Sequence, residues 1–94
     1  MMSAKEVYME MLKLSLMMSL GEDELRQKIA EKYIEYVNSL PERAKKRTMV
    51  VMTEKGCIVV SHEEIPKKIL EDDEFYRWFL EMLRRRARRR YARG

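Results

Sequence analysis

Several residue types are nearly absent from this chain of 94 residues, and each scarcity excludes a class of protein. The one cysteine, Cys57, cannot form an internal disulfide, so a disulfide-stabilised secreted scaffold is excluded. With His62 as the only histidine, the chain also lacks the three or four convergent ligands of a zinc site. No run of residues approaches the roughly 18 apolar residues of a membrane span. We therefore expect no metal, no cofactor and no membrane-spanning segment.

Export signals and carboxamides are lacking too. The first 20 residues carry Lys5, Glu6, Glu10 and Lys13 inside their apolar stretch, which is unlike a secretory signal, so we expect a cytoplasmic protein in a reducing compartment. Asn38 is the only asparagine, there is a single glutamine, and 38% of the residues are charged. That balance favours a heat-adapted source, although nine methionines argue against it.

What the chain does have is an uneven charge distribution. Its formal net charge is +4. Residues 84–94 carry seven arginines and no acid, whereas residues 61–83 carry three bases and seven acids. The positive charge is thus a property of the C-terminal segment, with help from a second basic cluster at residues 43–47.

Two helices are predicted first. Ser3 and Glu6 form a capping-box pattern, and the apolar residues that follow predict a helix over 4–19 with an apolar face wide enough for contacts on two sides. Gly21 is placed to end this helix in a left-handed conformation. A second helix, over 22–40, is stopped by Pro41, so the two should pack as an antiparallel hairpin.

The hydrophobic period then changes. Residues 49–52 and 57–60 are apolar and rich in valine, which predicts a β-hairpin whose loop closes on Gly56 with a positive φ. Neither strand alternates polar with apolar residues, so both faces of the hairpin should need burial, and we expect the Cys57 thiol to be buried with them. One face would pack on the helical hairpin, and the other would be covered by either the C-terminal helix or a second copy of the chain.

The last segment is helical, with Pro66 near its start and the acidic residues 71–74 placed to restart it. We expect packing to end near Leu83 and the arginine run beyond it to fray unless anions bind. The predicted fold is α+β and helix-dominated: a helical hairpin, a β-hairpin and a long C-terminal helix in the order ααββα. Residues 1–83 would form one compact domain, and 84–94 an arginine-rich helical extension or tail. A winged helix is disfavoured because no break divides residues 22–40 into two helices.

The arginine run indicates nucleic-acid binding. Guanidinium is always charged and bonds phosphate oxygens bidentately, while Tyr91 could stack on a base. Arginines pointing all round a helix contact the backbone better than base edges, so we expect sequence-tolerant binding of DNA or RNA. The predicted binding residues are Arg84, Arg85, Arg86, Arg88, Arg89, Arg90, Tyr91 and Arg93, with Arg43, Lys45, Lys46 and Arg47 as an extension.

Other interpretations stay open at this point. The arginines could offset the acidic segment 61–83, dock on an acidic protein partner or meet anionic lipid, and cluster 43–47 could be an ordinary exposed loop. The wide apolar face of the first helix and the two-sided hairpin together predict a homodimer. Catalysis by Cys57 with His62 as base lacks any orienting motif, so we predict a protein that is not an enzyme.

Overall fold

The computed structural model describes residues 2–91 and shows a helix-dominated α+β fold. The predicted fold class is therefore confirmed. The elements in chain order are α1 (Ala4–Ser15), α2 (Glu22–Asn38), α3 (Glu42–Lys45), β1 (Thr48–Thr53), β2 (Gly56–Ser61), a 3₁₀ turn (His62–Glu64), α4 (Ile65–Glu71) and α5 (Asp73–Tyr91).

Helix α1 begins at the predicted capping box. Ser3 Oγ accepts from the Glu6 N–H at 3.2 Å, and the Glu6 carboxylate accepts from the Ser3 N–H at 3.5 Å. The helix ends at Ser15, not at residue 19, and the buried Ser15 hydroxyl donates to the Leu12 carbonyl at 2.6 Å. Gly21 consequently lies beyond the last turn of α1. It is extended, with φ −66° and ψ 160°, and forms the N-cap of α2, so its predicted left-handed role was wrong.

The predicted β-hairpin is present, with an antiparallel register that runs from Thr48 opposite Ser61 to Thr53 opposite Gly56. Gly56 has φ +116°, as expected for the residue that closes the loop. A side chain there would be strained, because L residues rarely adopt this conformation. The hairpin also extends one residue beyond each end of the predicted strands.

One face of the hairpin packs inward and the other does not. On the inner face Val51 and Val60 are buried. The side chains of Val50, Met52 and Val59 on the opposite face are 66%, 65% and 63% exposed. Of the two covers expected for this second face, the C-terminal helix does not supply one within the described residues, and a second copy of the chain stays a prediction. We call Val50, Met52, Cys57 and Val59 the outer hairpin face.

The hydrophobic core lies where α1, α2, α4 and α5 meet. Helix α1 contacts both α2 and α5, so its wide apolar face is covered on two sides within the chain. This removes one of the two arguments for a homodimer. The fully buried large side chains include Met11, Ile29, Ile65, Ile69, Phe75 and Leu83.

The acidic cluster separates α4 from α5. The Asp72 carboxylate accepts from the Phe75 N–H at 3.0 Å, which caps α5, as its position before a helix predicted. Arg26 clamps this junction onto α2, because its guanidinium donates to the Ile69 carbonyl at 2.5 Å and to Asp73 at 2.7 Å. The C-terminal helical segment is thus two helices with a fixed junction.

Helix α5 stays packed beyond the expected limit at Leu83. It continues to Tyr91, and Ala87 is 0% exposed. Leu83 and Ala87 are one turn apart and lie on the face turned to the core. The division into a compact domain at residues 1–83 and an arginine-rich extension at 84–94 stays a prediction. Within residues 2–91, no helix is both long and apolar enough to cross a membrane.

Candidate nucleic-acid interface

Helix α5 presents its arginines around one buried stripe. The stripe consists of Phe75, Phe79, Leu83 and Ala87, spaced four residues apart. After Leu83 only Ala87 continues this stripe as a buried residue, so the arginines take the flanks and the outer face of the helix. We call Arg84, Arg85, Arg86, Arg88, Arg89 and Arg90 the arginine surface; Arg93, also predicted to bind, lies outside the described residues.

Two of the arginines donate to neutral acceptors on α1. Arg84 Nε donates to the Ser15 carbonyl at 3.0 Å, and Arg86 donates to the Tyr8 hydroxyl at 2.6 Å. Both bonds dock α5 against α1. Since neither acceptor carries a charge, these guanidiniums keep their full positive charge while their positions are restrained.

The outer arginines are almost free of carboxylates. Arg88 lies 3.3 Å from Glu81, and both side chains are more than half exposed, so the pair contributes little stability. Arg85, Arg89 and Arg90 are exposed and form no ion pair with any residue in 2–91. Within the described chain, therefore, Glu81 is the only acid of the segment 61–83 that meets the arginine surface.

Tyr91, predicted to stack on a base, is 38% exposed at the end of α5. The Lys13 ammonium lies 5.6 Å from its ring centroid, in a cation–π contact. One face of the ring is thus already occupied by a cation from α1. This contact adds a further positive charge beside the arginine surface.

The basic cluster 43–47 is not a simple loop, because residues 42–45 form the short helix α3. Lys45 bonds Glu42 at 2.9 Å, which holds the pKa of that carboxyl below its usual value. Arg43, Lys46 and Arg47 are exposed. We call these three residues the linker cations.

Three aromatic side chains lie between the two basic regions, although no local pattern indicates that they are neighbours. Tyr8 comes from α1, Tyr36 from α2 and His62 from the 3₁₀ turn, and each is partly exposed. The ring centroids of Tyr8 and Tyr36 are 6.0 Å apart, as are those of Tyr36 and His62. We call these three side chains the aromatic row. The only available signal was the run of aromatics at helical spacing in α2, which is equally typical of a core.

The buried Tyr33 supports this row from below. A hydrogen bond of 2.8 Å joins its hydroxyl to His62 Nδ1, and its ring lies 5.4 Å from that of Tyr36. Burial raises the pKa of Tyr33 and, together with the nearby Arg47 charge, lowers the pKa of His62 below 6.5. At neutral pH both groups are therefore uncharged, which suits a stacking surface.

The residues that could have carried other chemistry are placed apart or already engaged. Within residues 2–91, no group of three or more His, Cys, Asp or Glu side chains could hold a metal ion. Cys57, expected to be buried, is exposed on the outer hairpin face beside Met52. Asp72 caps α5, and Asp73 pairs with Arg26.

Comparisons with protein-family models, with curated proteins and with solved structures find no match to this chain. The structure therefore defines the class only as a small helix-dominated α+β domain, and its function must be argued from its own surface.

Proposed function

We propose that this protein is a non-enzymatic nucleic-acid-binding protein that contacts the phosphate backbone through the arginine surface of α5. The observation that carries the proposal is the lack of neutralising carboxylates. Six arginines lie within seven consecutive positions, and among residues 2–91 only Arg88 of these six forms an ion pair. Cations this close together repel one another, so an anionic ligand with regularly spaced charges would relieve the repulsion.

The side-chain chemistry supports backbone binding over base reading. A guanidinium donates to two phosphate oxygens at once, which Lys ammonium groups do less well. Base-edge recognition of adenine needs Asn or Gln, and the chain has one of each, both on α2. We therefore expect binding to DNA or RNA with little sequence preference.

Docking of α5 makes the surface more effective than a flexible tail. Arg84 and Arg86 are restrained by α1, and the helix that carries the outer arginines is packed as far as Ala87. Fewer degrees of freedom are then lost when phosphates bind. As part of the same proposal, the protein acts in the cytoplasm, where nucleic acid is accessible to it.

The test compares two triple variants that remove the same charge from different places. Arg85→Gln/Arg89→Gln/Arg90→Gln removes exposed cations of the arginine surface. Lys28→Gln/Lys55→Gln/Lys67→Gln removes exposed cations from α2, the hairpin tip and α4. Binding to labelled DNA and RNA is measured by fluorescence anisotropy at about 50 mM salt, where phosphate contacts are strong.

The arginine triple variant should lose most of the affinity, whereas the lysine triple variant should lose little. Equal losses would mean that only net charge matters, and no binding by the wild type would contradict the proposal outright. Point variants are preferable to truncation after Leu83, because truncation also removes the buried Ala87.

The outer hairpin face favours a second candidate function, which is assembly as a homodimer. Its exposed Val50, Met52 and Val59 carry no charge, so the same patch on a second copy is complementary to it. Light scattering at micromolar concentration should return a dimer for the wild type and a monomer for Val50→Lys/Val59→Lys. A monomeric wild type would contradict this candidate. An assembly protein could instead dock on an acidic protein partner. In that case the wild type would not bind nucleic acid in the anisotropy experiment.

A further inference from the structure

We propose that the ligand of this surface is single-stranded nucleic acid, with its bases stacked on the aromatic row and its phosphates held by the cations on either side. The inference rests on the proposed function and narrows its substrate class. It depends on three observations: the row is continuous with the arginine surface, it is bordered by cations at its other end, and its rings are held in place from below.

The first observation is the continuity between α5 and the row. Arg86 donates to the Tyr8 hydroxyl at 2.6 Å, so a member of the arginine surface touches the first aromatic ring. From Tyr8 the row continues through Tyr36 to His62, with successive ring centroids 6.0 Å apart. A bound strand could follow this line without leaving the protein surface.

The second observation is the position of the linker cations. Helix α3 packs against the 3₁₀ turn that carries His62. Arg47 is close enough to His62 for its charge to lower the pKa of the imidazole. Arg86 therefore adjoins the row at Tyr8, and the helix that precedes Arg47 adjoins it at His62. Arg43, Lys46 and Arg47 are exposed.

The third observation is that the row is prearranged. Tyr33 is 4% exposed and lies beneath Tyr36 and His62, with its hydroxyl hydrogen-bonded to the imidazole. Of the acids adjoining the row in sequence, Glu35 is engaged by Lys32 at 3.2 Å, whereas Glu63 is exposed. Tyr33 therefore restrains the Tyr36 and His62 rings, which are tilted by 70° to each other.

These features match single strands better than duplexes. The bases of a duplex are stacked on each other and do not offer their faces to a protein, whereas unpaired bases stack readily on Tyr and His rings. Cations alone would serve either ligand. A row of aromatic rings bordered by cations is what distinguishes a single-strand site from a duplex-binding patch.

The experiment uses the full chain and two substitutions at one position. Tyr36→Leu removes the aromatic face but keeps apolar volume over Tyr33. Tyr36→Phe keeps the ring and is the matched control, because in the described chain the Tyr36 hydroxyl forms no hydrogen bond with a side chain. Affinities for an oligouridylate of about 12 nucleotides and for a duplex of the same length are measured by anisotropy, and urea unfolding confirms that each variant is folded.

Wild type should prefer the single strand. Tyr36→Leu should weaken single-strand binding by about 5- to 100-fold and duplex binding by less than about 2-fold, while Tyr36→Phe stays within about 2-fold of wild type. Equal wild-type affinity for both ligands, or equal behaviour of the Leu and Phe variants, would overturn the inference. If the arginine triple variant loses affinity while Tyr36→Leu does not, stacking of bases on the aromatic row is excluded and the proposed function stands. If nothing binds, both fail.

Discussion

Ala87 decides whether the arginine-rich helix is docked or frayed, and Ala87→Gln is the substitution that tests it. The side chain is 0% exposed and lies one turn beyond Leu83 on the buried stripe of α5. Glutamine would have to place a longer side chain in a filled space, which costs about 1–3 kcal/mol. Its amide would also lose hydrogen bonds to water without gaining a partner, which costs about 1–3 kcal/mol more.

We therefore expect the free energy of unfolding to fall by about 2–6 kcal/mol, out of a total of about 5–14 kcal/mol for a chain of this size. With a urea m value of about 1–2 kcal/mol per molar, the unfolding midpoint should fall by about 1 M or more. Circular dichroism at the helix signal is the assay. The matched control is Arg88→Gln, which introduces the same residue at the next, exposed position and should cost less than about 1 kcal/mol.

A result of less than about 0.5 kcal/mol for both substitutions would refute the reasoning. It would mean that packing ends near Leu83 after all and that the arginines beyond it are not held by the fold. The arginine surface would then be a flexible tail, and the continuity between Arg86 and the aromatic row would be lost.

Three further predictions concern the cap of α5, the cap of α2 and His62. Asp72→Ala should lower the free energy of unfolding by about 1 kcal/mol through loss of the bond to the Phe75 N–H, and Asp72→Asn, which keeps an acceptor, should recover most of it in urea unfolding. Gly21→Ser should raise stability by about 0.5–1 kcal/mol, because a Cβ on this extended N-cap would meet nothing within 4 Å and serine can bond the free N–H groups of α2; an unchanged midpoint would contradict this. Because the folded pKa of His62 lies below its unfolded value of 6.5, its contribution to stability is present above pH 6.5 and is lost as the pH falls through the folded pKa. Unfolding of the wild type and of His62→Phe across pH 7 to 5 checks this, and parallel curves would exclude it.

The secondary structure was largely readable from local patterns. The capping box at Ser3 and the change of period before the hairpin are signals that act within a few residues, and the structure places both as expected. Gly21 shows where such signals stop. Glycine suits either end of a helix. Gly21 begins α2 and does not end α1, because α1 already ends at Ser15, where the buried Ser15 hydroxyl bonds the Leu12 carbonyl of its own helix.

The candidate site was only half readable. The six closely spaced arginines are evident from the sequence, but the groups that accept hydrogen bonds from them are not. Arg84 bonds a carbonyl 69 positions away and Arg86 a hydroxyl 78 positions away. The aromatic row has the same character, since Tyr8, Tyr36 and His62 belong to three different elements and become neighbours only through tertiary packing. Sequence patterns report periodicity and local charge, and contacts of this range leave no trace in either.

The central claim is that the arginine surface binds phosphates, and the salt dependence of affinity tests it most directly. Affinity for a single strand is measured over about 50 to 300 mM salt for the wild type and for Arg85→Gln/Arg89→Gln/Arg90→Gln. If the three arginines each neutralise one phosphate, at about 0.7 per contact, the logarithmic slope of the wild type should be about −2 or steeper, and the variant should lose about 2 from it. A slope near zero, or the same slope for both proteins, would contradict the account.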